Sequence, residues 1–272
     1  MRPIQIAVKL VPKKTGHVAV TLHNISSENF GWVYQTICHI KAKYGFIEPG
    51  NVMSDGAQHP SLPRVLLTFD DGFASNRHVA ENVLLPLGVR GLFFVTNNFI
   101  GLPKSEAYTF AQRHFYPSRN IAPSDGDVSA MGWQDLEWLM SNGHIIGAHT
   151  LSHDALIDLP LDRKQEEIIS AADRLERRLG QAVRQFAYPF GSIASVDRHS
   201  FDFASERFDL AYSNIRGMLG ESPSRNFLFR QNLAPGSPIW MVDAIIEGRL
   251  DWRYRGVRNQ AFARFSDRSL HR

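Results

Sequence analysis

Asp70 and Asp71 stand side by side in "LLTFDDGFASN" (66–76), directly after an apolar run that reads as a buried strand. Burying even one carboxylate is costly, so two at a strand end call for a reason. His149 and His153, in "HTLSH", are four residues apart. That spacing puts both rings on one side of a helical turn, as paired metal-ligating histidines often are. Each pattern alone has an ordinary explanation: a helix N-cap for the aspartates, with a helix over 75–87, and surface exposure for the histidines. Together they supply two imidazoles and a carboxylate, the donor set of a hydrolytic zinc site with one position open to water. Asp71 would then be neutralised by the cation. Asp70, held near the same charge, would stay ionised and able to take a proton from a water whose pKa the cation lowers.

These residues must be brought together by the elements around them. "HVAVTL" (17–22), "RVLLTF" (64–69), "RGLFFVT" (90–96), "HIIGAH" (144–149), "VRQFAY" (183–188) and "DLAYS" (209–213) read as short strands. Between them lie amphipathic stretches: "NFGWVYQTICHIKAKYG", "SNRHVAENVLLPLG", "WQDLEWLMSNG" and "PLDRKQEEIISAADRLERRLG", the last with Pro160 at its start and Gly180 at its stop. Alternation of this kind predicts an α/β fold with a parallel sheet, closing into a barrel. Chemistry in such folds sits at the C-terminal strand ends. His23, Asp70 and Asp71, His149 and His153, and the "YPFG" segment Tyr188, Pro189, Phe190 and Gly191 all fall just after strands.

Composition narrows the setting. The chain has 272 residues, 43% hydrophobic and 21% charged, with no linker-like composition break, internal repeat or low-complexity tract, so one catalytic domain over 1–248 is expected. Residues 249–272 hold seven arginines against Asp251 and Asp267, more than the whole chain's excess of +3. A solvated basic C-terminal tail is the expectation there, with weak contact to an anionic membrane surface as the lesser alternative. No base-stacking or base-reading motif points to nucleic acid. Cys38 is the one cysteine, which excludes an internal disulfide framework and a cysteine metal cluster; it reads as a small buried helix residue. The start, "MRPIQIAVKLVPKK", lacks the apolar core of a secretory signal, and no stretch reaches the length of a membrane span, so a cytoplasmic location is expected.

"LLTFDDGF", then "NGHIIGAHTLSH", then "FAYPFG" resemble, in this order, the polysaccharide deacetylase family, also known as the NodB homology or carbohydrate esterase 4 family. The motifs span residues 64–191. The resemblance implies a distorted (β/α)7-type barrel and removal of acetyl groups from N-acetylated sugars with a divalent metal, zinc first, cobalt or nickel as alternatives. It implies Asp70 as general base and Asp71, His149 and His153 as metal ligands, the assignment that the charge argument also favours. It further implies that Tyr188–Gly191 wall the substrate groove and that the Phe190 N–H helps stabilise the oxyanion.

Two positions depart from the family pattern. The arginine that pairs with the base in many members is replaced here by Ala187, and Arg184, three residues back along a strand, points to the opposite face. The C-terminal motif histidine is also missing, since beyond residue 200 only His271 occurs. Some members, similar to poly-N-acetylglucosamine deacetylases, instead begin with a strand ending in histidine. By that likeness His23 is the general acid that protonates the leaving amine. Residues 102–130 form an insertion rich in proline and aromatics that could cover a sugar, with Tyr108, Phe115, Tyr116 and, elsewhere, Trp240 as stacking candidates. The expected partner is an N-acetylated oligo- or polysaccharide or sugar-lipid. An O-acetyl ester, a formamide or a cyclic amide as the bond cleaved, and a non-catalytic sugar-binding role on the same fold, are the alternatives.

Overall fold

A computed structural model describes residues 11–52, 62–121 and 126–266. The six expected strands are all present: β1 (Val18–Leu22), β2 (Val65–Phe69), β3 (Leu92–Val95), β4 (Ile145–Ala148), β5 (Gln185–Ala187) and β6 (Leu210–Tyr212). A seventh, β7 (Gln231–Asn232), was not legible, because two residues make no periodic pattern. All pairings are parallel, in the order β6-β5-β4-β3-β2-β1-β7. Just before β7, Leu228 bridges to Tyr212 of β6. The sheet thus curls toward closure, which is the distorted (β/α)7-type barrel, with the strands and helices in one domain.

The alternation of side chains decides what lies inside. Val18, Val20 and Leu22 of β1 and Val65, Leu67 and Phe69 of β2 pack outward in the large core beneath the helices, while Ala19, Leu66, Leu92, Phe94, Ala187, Leu210 and Tyr212 form a second cluster within the curl. Gly147 of β4 belongs to this interior by necessity: a Cβ there would sit 2.5 Å from the Phe94 ring.

Eight helices accompany the strands among the described residues: α1 (Phe30–Lys43), α2 (Ala74–Val79, continued by a π turn at Ala80–Leu84), α3 (Lys104–Phe110, continued at Ala111–Phe115), α4 (Trp133–Ser141), α5 (Leu161–Gln165, Glu166–Ser170 and Ala171–Leu179 in succession), α6 (Arg198–Arg207), α7 (Ile239–Ile246) and α8 (Arg255–Phe265). The insertion expected as a loop contains α3. Its Phe110 and Phe115 pack with Phe99 and Phe73 in a cluster of their own. The segment expected as a solvated tail is also ordered over Asp251–Phe265. Ala261 and Phe265 are buried, with Phe265 against Phe227 and Phe201, so apolar positions hidden among the arginines pin α8 to the barrel. Two of those arginines are paired with carboxylates: Arg249 meets the buried Glu247 and Arg258 meets the more exposed Glu221. Cys38 on α1 is partly exposed rather than buried. No helix among the described residues is long and apolar enough to cross a membrane.

Candidate active site

β2 ends in a turn that turns one aspartate inward and its neighbour sideways. Asp70 continues the inward parity of Leu66 and Thr68, and its backbone N–H donates to Leu22 O at 3.0 Å, tying β2 to the end of β1. Asp71 follows with φ 77°, a left-handed conformation unusual outside glycine, with Gly72 next at φ 99°. Neither carboxylate caps α2, whose N-cap is Phe73 with no side-chain cap bond. The ordinary explanation of the pair therefore fails.

The histidines arrive by a turn and not by the helix that their spacing suggested. Thr150 (φ 64°) and His153 (φ 62°) are both left-handed, and no helix spans 149–153. The turn is held from below by the fully buried Glu167 of α5, whose Oε2 accepts from the N–H groups of Leu151 (2.9 Å) and Ser152 (2.8 Å). The Thr150 hydroxyl accepts from the His153 N–H at 2.9 Å. Glu167 reads as an ordinary helix charge, yet it lies on the stripe of buried Ile168, Ala171 and Leu175, and that placement was its one signal in the sequence.

Both rings are oriented through Nδ1. His149 donates from Nδ1 to Ala187 O at 2.8 Å, and His153 donates from Nδ1 to His114 O at 3.0 Å. Each Nε2 lone pair is left facing Asp71 Oδ1, at 3.5 Å for His149 and 3.4 Å for His153. All three residues are buried, and Asp71 Oδ1 has no hydrogen-bond partner. Two acceptor nitrogens and an orphaned carboxylate oxygen within 4.8 Å of one another are the donor set that a divalent ion fits. Burial lowers the His153 pKa to about 4, with the His149 charge adding to the effect, so its ring is neutral and its lone pair available. Burial alone would raise the Asp71 carboxyl, but it lies below the ordinary value, because a protonated His149, and then charge on His23 or His153, favours the carboxylate, as a cation in their place would.

Asp70 is met by an arginine that sequence reasoning did not find. Arg230, just before β7, donates from Nη1 to Oδ1 and from Nη2 to Oδ2 of Asp70, each at 2.7 Å. Its Nε donates to Ser213 O at 2.8 Å, and its guanidinium lies among the Phe94 and Tyr212 rings inside the curl. Burial pushes the Asp70 carboxyl up; the bidentate Arg230 more than offsets this and holds it well below the usual carboxylate range. The cation absent at Ala187 is thus supplied from the segment leading into β7. Its signal was an arginine at the end of the apolar run "NFLFRQN". Arg184 faces out, 3.6 Å from Asp209.

A cavity of about 200 Å³ opens over these groups, lined by His23, Asp70, Asp71, Phe115, Tyr116, His149, His153, Tyr188, Phe190, Asn214 and Arg230. His23 stands at its edge, partly exposed, with Nε2 3.9 Å from Asp70 Oδ2. Of the "YPFG" segment, Tyr188 and Phe190 line the cavity. The Tyr188 hydroxyl is spent on Asn226 O, while Phe190, in a left-handed conformation, sets its exposed ring edge-on to His153. Pro189 and Gly191 lie behind this wall. Gly191 (φ 54°) admits the next loop so closely that a Cβ would sit 2.3 Å from Asn214 N. Among the stacking candidates, Phe115 and Tyr116 reach the cavity; Trp240 lines a different one with Lys13, Lys43 and Asp243, and Tyr108 points its hydroxyl to Ile121 O.

The family model described as polysaccharide deacetylase matches residues 57–201. No curated protein matches the chain. Among solved structures, the chain is similar to IcaB from Ammonifex degensii, with 21% identity, a TM-score of 0.66, and coverage of 87% of this chain and 99% of that one. It is also similar to the Streptococcus pyogenes deacetylase PplD in complex with acetate, with 17% identity, a TM-score of 0.64, and 86% and 99% coverage. A de-N-acetylase from Aggregatibacter actinomycetemcomitans matches with 12% identity and a TM-score of 0.61 over 85% of this chain and all of that one. At these identities the three establish a common fold.

Proposed function

The chain belongs to the polysaccharide deacetylase family, and from that premise we propose that it is a metal-dependent hydrolase that removes N-acetyl groups from an aminosugar-containing glycan or sugar-lipid. One observation carries the reading: two adjacent carboxylates have opposite surroundings. Asp70 is saturated by Arg230, while Asp71 Oδ1 faces two imidazole lone pairs with no donor of its own.

Asp71, His149 and His153 are the residues that would hold the cation, zinc first, with cobalt or nickel as alternatives. Bound there, it supplies Lewis acidity toward the acetyl carbonyl and lowers the pKa of water in the cavity. Asp70, kept ionised by Arg230, takes the proton of the attacking water. His23, across the cavity edge, gives a proton to the departing nitrogen, so that the C–N bond breaks to release a neutral amine and acetic acid, which loses its remaining proton to water as acetate. The Phe190 N–H serves the oxygen that gains negative charge, and the Tyr188–Gly191 turn holds that donor in place.

The test is acetate release from N-acetylated and O-acetylated oligosaccharides after reconstitution with zinc, cobalt or nickel, run beside metal-binding measurements. Asp70→Asn is expected to keep its metal and lose turnover by about 10²-fold or more, and His149→Ala to lose both. His23→Ala is expected to slow the N-acetyl substrate. Equal metal loss in Asp70→Asn and His149→Ala would contradict the division of roles. Release from O-acetyl substrates alone would replace the amide with an ester.

A further inference from the structure

The insertion between β3 and α4 does more than border the cavity. We infer that residues 102–121 and 126–131 act as a clamp that positions the metal-ligand turns, latched by the hydrogen bond between His114 and Asp154; this rests on the metal-dependent reading above. Three sets of contacts converge on it.

First, the His153 ring takes its orientation from the insertion. Its Nδ1 donates to His114 O at 3.0 Å, and Phe115 meets the ring edge-on at 4.9 Å. Second, the returning limb is stitched to the Asp71 turn. Met131 N donates to Gly72 O at 2.9 Å, Ala74 N donates to Ser129 O at 2.8 Å, Phe73 bridges to Ala130, and the Phe73 ring joins Phe99 and Phe115 in the insertion's own cluster. One body therefore fixes both Asp71 and His153. Third, the carbonyl that orients His153 is itself fastened. The His114 side chain stacks on Phe110, with centroids 4.4 Å apart, and its Nδ1 lies 3.0 Å from Oδ1 of Asp154, the residue after the ligand. Without that bond the His114 carbonyl can drift from Nδ1 of His153, and the Nε2 lone pair drifts with it. Partners that orient a ligating histidine typically change metal affinity 10- to 100-fold when removed.

The experiment titrates the metal-free full chain with Co²⁺, reading affinity by calorimetry and ligand geometry by the visible absorption of the bound ion, with thermal unfolding of the metal-free protein alongside. Asp154→Ala is expected to weaken Co²⁺ binding by about tenfold and alter the spectrum. His114→Ala opens the latch from the other side and should match it. Asp154→Asn keeps a carbonyl oxygen for the bond and should stay within about twofold of wild type. Wild-type affinity and spectrum in both alanine variants would overturn the latch, as would a lower melting temperature with unchanged binding, because the bond would then serve folding alone. A wild-type chain that binds no Co²⁺ or Zn²⁺ would instead overturn the metal-dependent reading beneath it.

Discussion

Asp70 keeps its charge inside the barrel because Arg230 meets both of its oxygens at 2.7 Å. Removing one member of a buried pair leaves the other uncompensated, at a cost of about 3–5 kcal/mol. Arg230→Met is therefore expected to lower unfolding stability by that order in urea titrations. It should also reshape the pH dependence of turnover. With Arg230 present the folded carboxyl lies below its ordinary value, so it stabilises the fold above the unfolded pKa, near 4, and loses that contribution as pH falls. With Arg230 gone, burial dominates, the carboxyl rises, and the acid limb of kcat/KM moves to higher pH. An unmoved limb in a folded variant would show that Asp70 is not the base. Asp71, one position on, has the same chemistry and a different role only because its left-handed backbone turns it toward His149 and His153.

The strand-to-helix joints do the positioning. The 149–153 turn converges two imidazoles through two left-handed residues, and Glu167 of α5 satisfies the backbone N–H groups that the turn leaves over. At the opposite end of β4, His144 performs a comparable joining task. Its Nδ1 accepts from the Gly91 N–H at 3.0 Å, next to the start of β3. Burial, with the Arg90 and Arg77 charges adding to it, lowers its pKa to about 4 from 6.5. The ring is neutral in the fold and charges more readily in the unfolded chain, so its contribution is complete above pH 6.5 and is lost as pH falls from there toward about 4. At about 1.4 kcal/mol per unit of pKa, the loss is on the order of 2 kcal/mol or more. Denaturant titrations between pH 8 and 4 should show a shallower acid slope for His144→Asn than for wild type; equal slopes would rule this histidine out as the source.

Across the whole molecule, the curled sheet is sealed by α8 lying over its last loops. Phe265 is fully buried with its ring 4.1 Å from that of Phe227, so Phe265→Ala should cost about 3–5 kcal/mol in thermal or urea unfolding. Wild-type stability would mean that α8 is dispensable to the barrel. The six longer strands, the parallel α/β class, Asp70, Asp71, His149, His153 and His23 as a strand-end set, and the family likeness were all legible in the chain itself. Hydrophobic periodicity reports local burial, and a residue directly after a strand is carried to the strand's end wherever the strand goes. Arg230, Glu167 and the clamp formed by residues 102–121 and 126–131 were decided by the tertiary structure alone. Arg230 lies 160 positions from the carboxylate it neutralises, Glu167 looks like any solvated helix charge until the 149–153 turn is set above it, and the insertion's aromatics had no visible target until Phe73 and His153 were brought beneath them. A lone charge in a sequence carries no address; its partner is fixed only when the sheet curls and the cost of burying that charge must be met by whatever group then faces it.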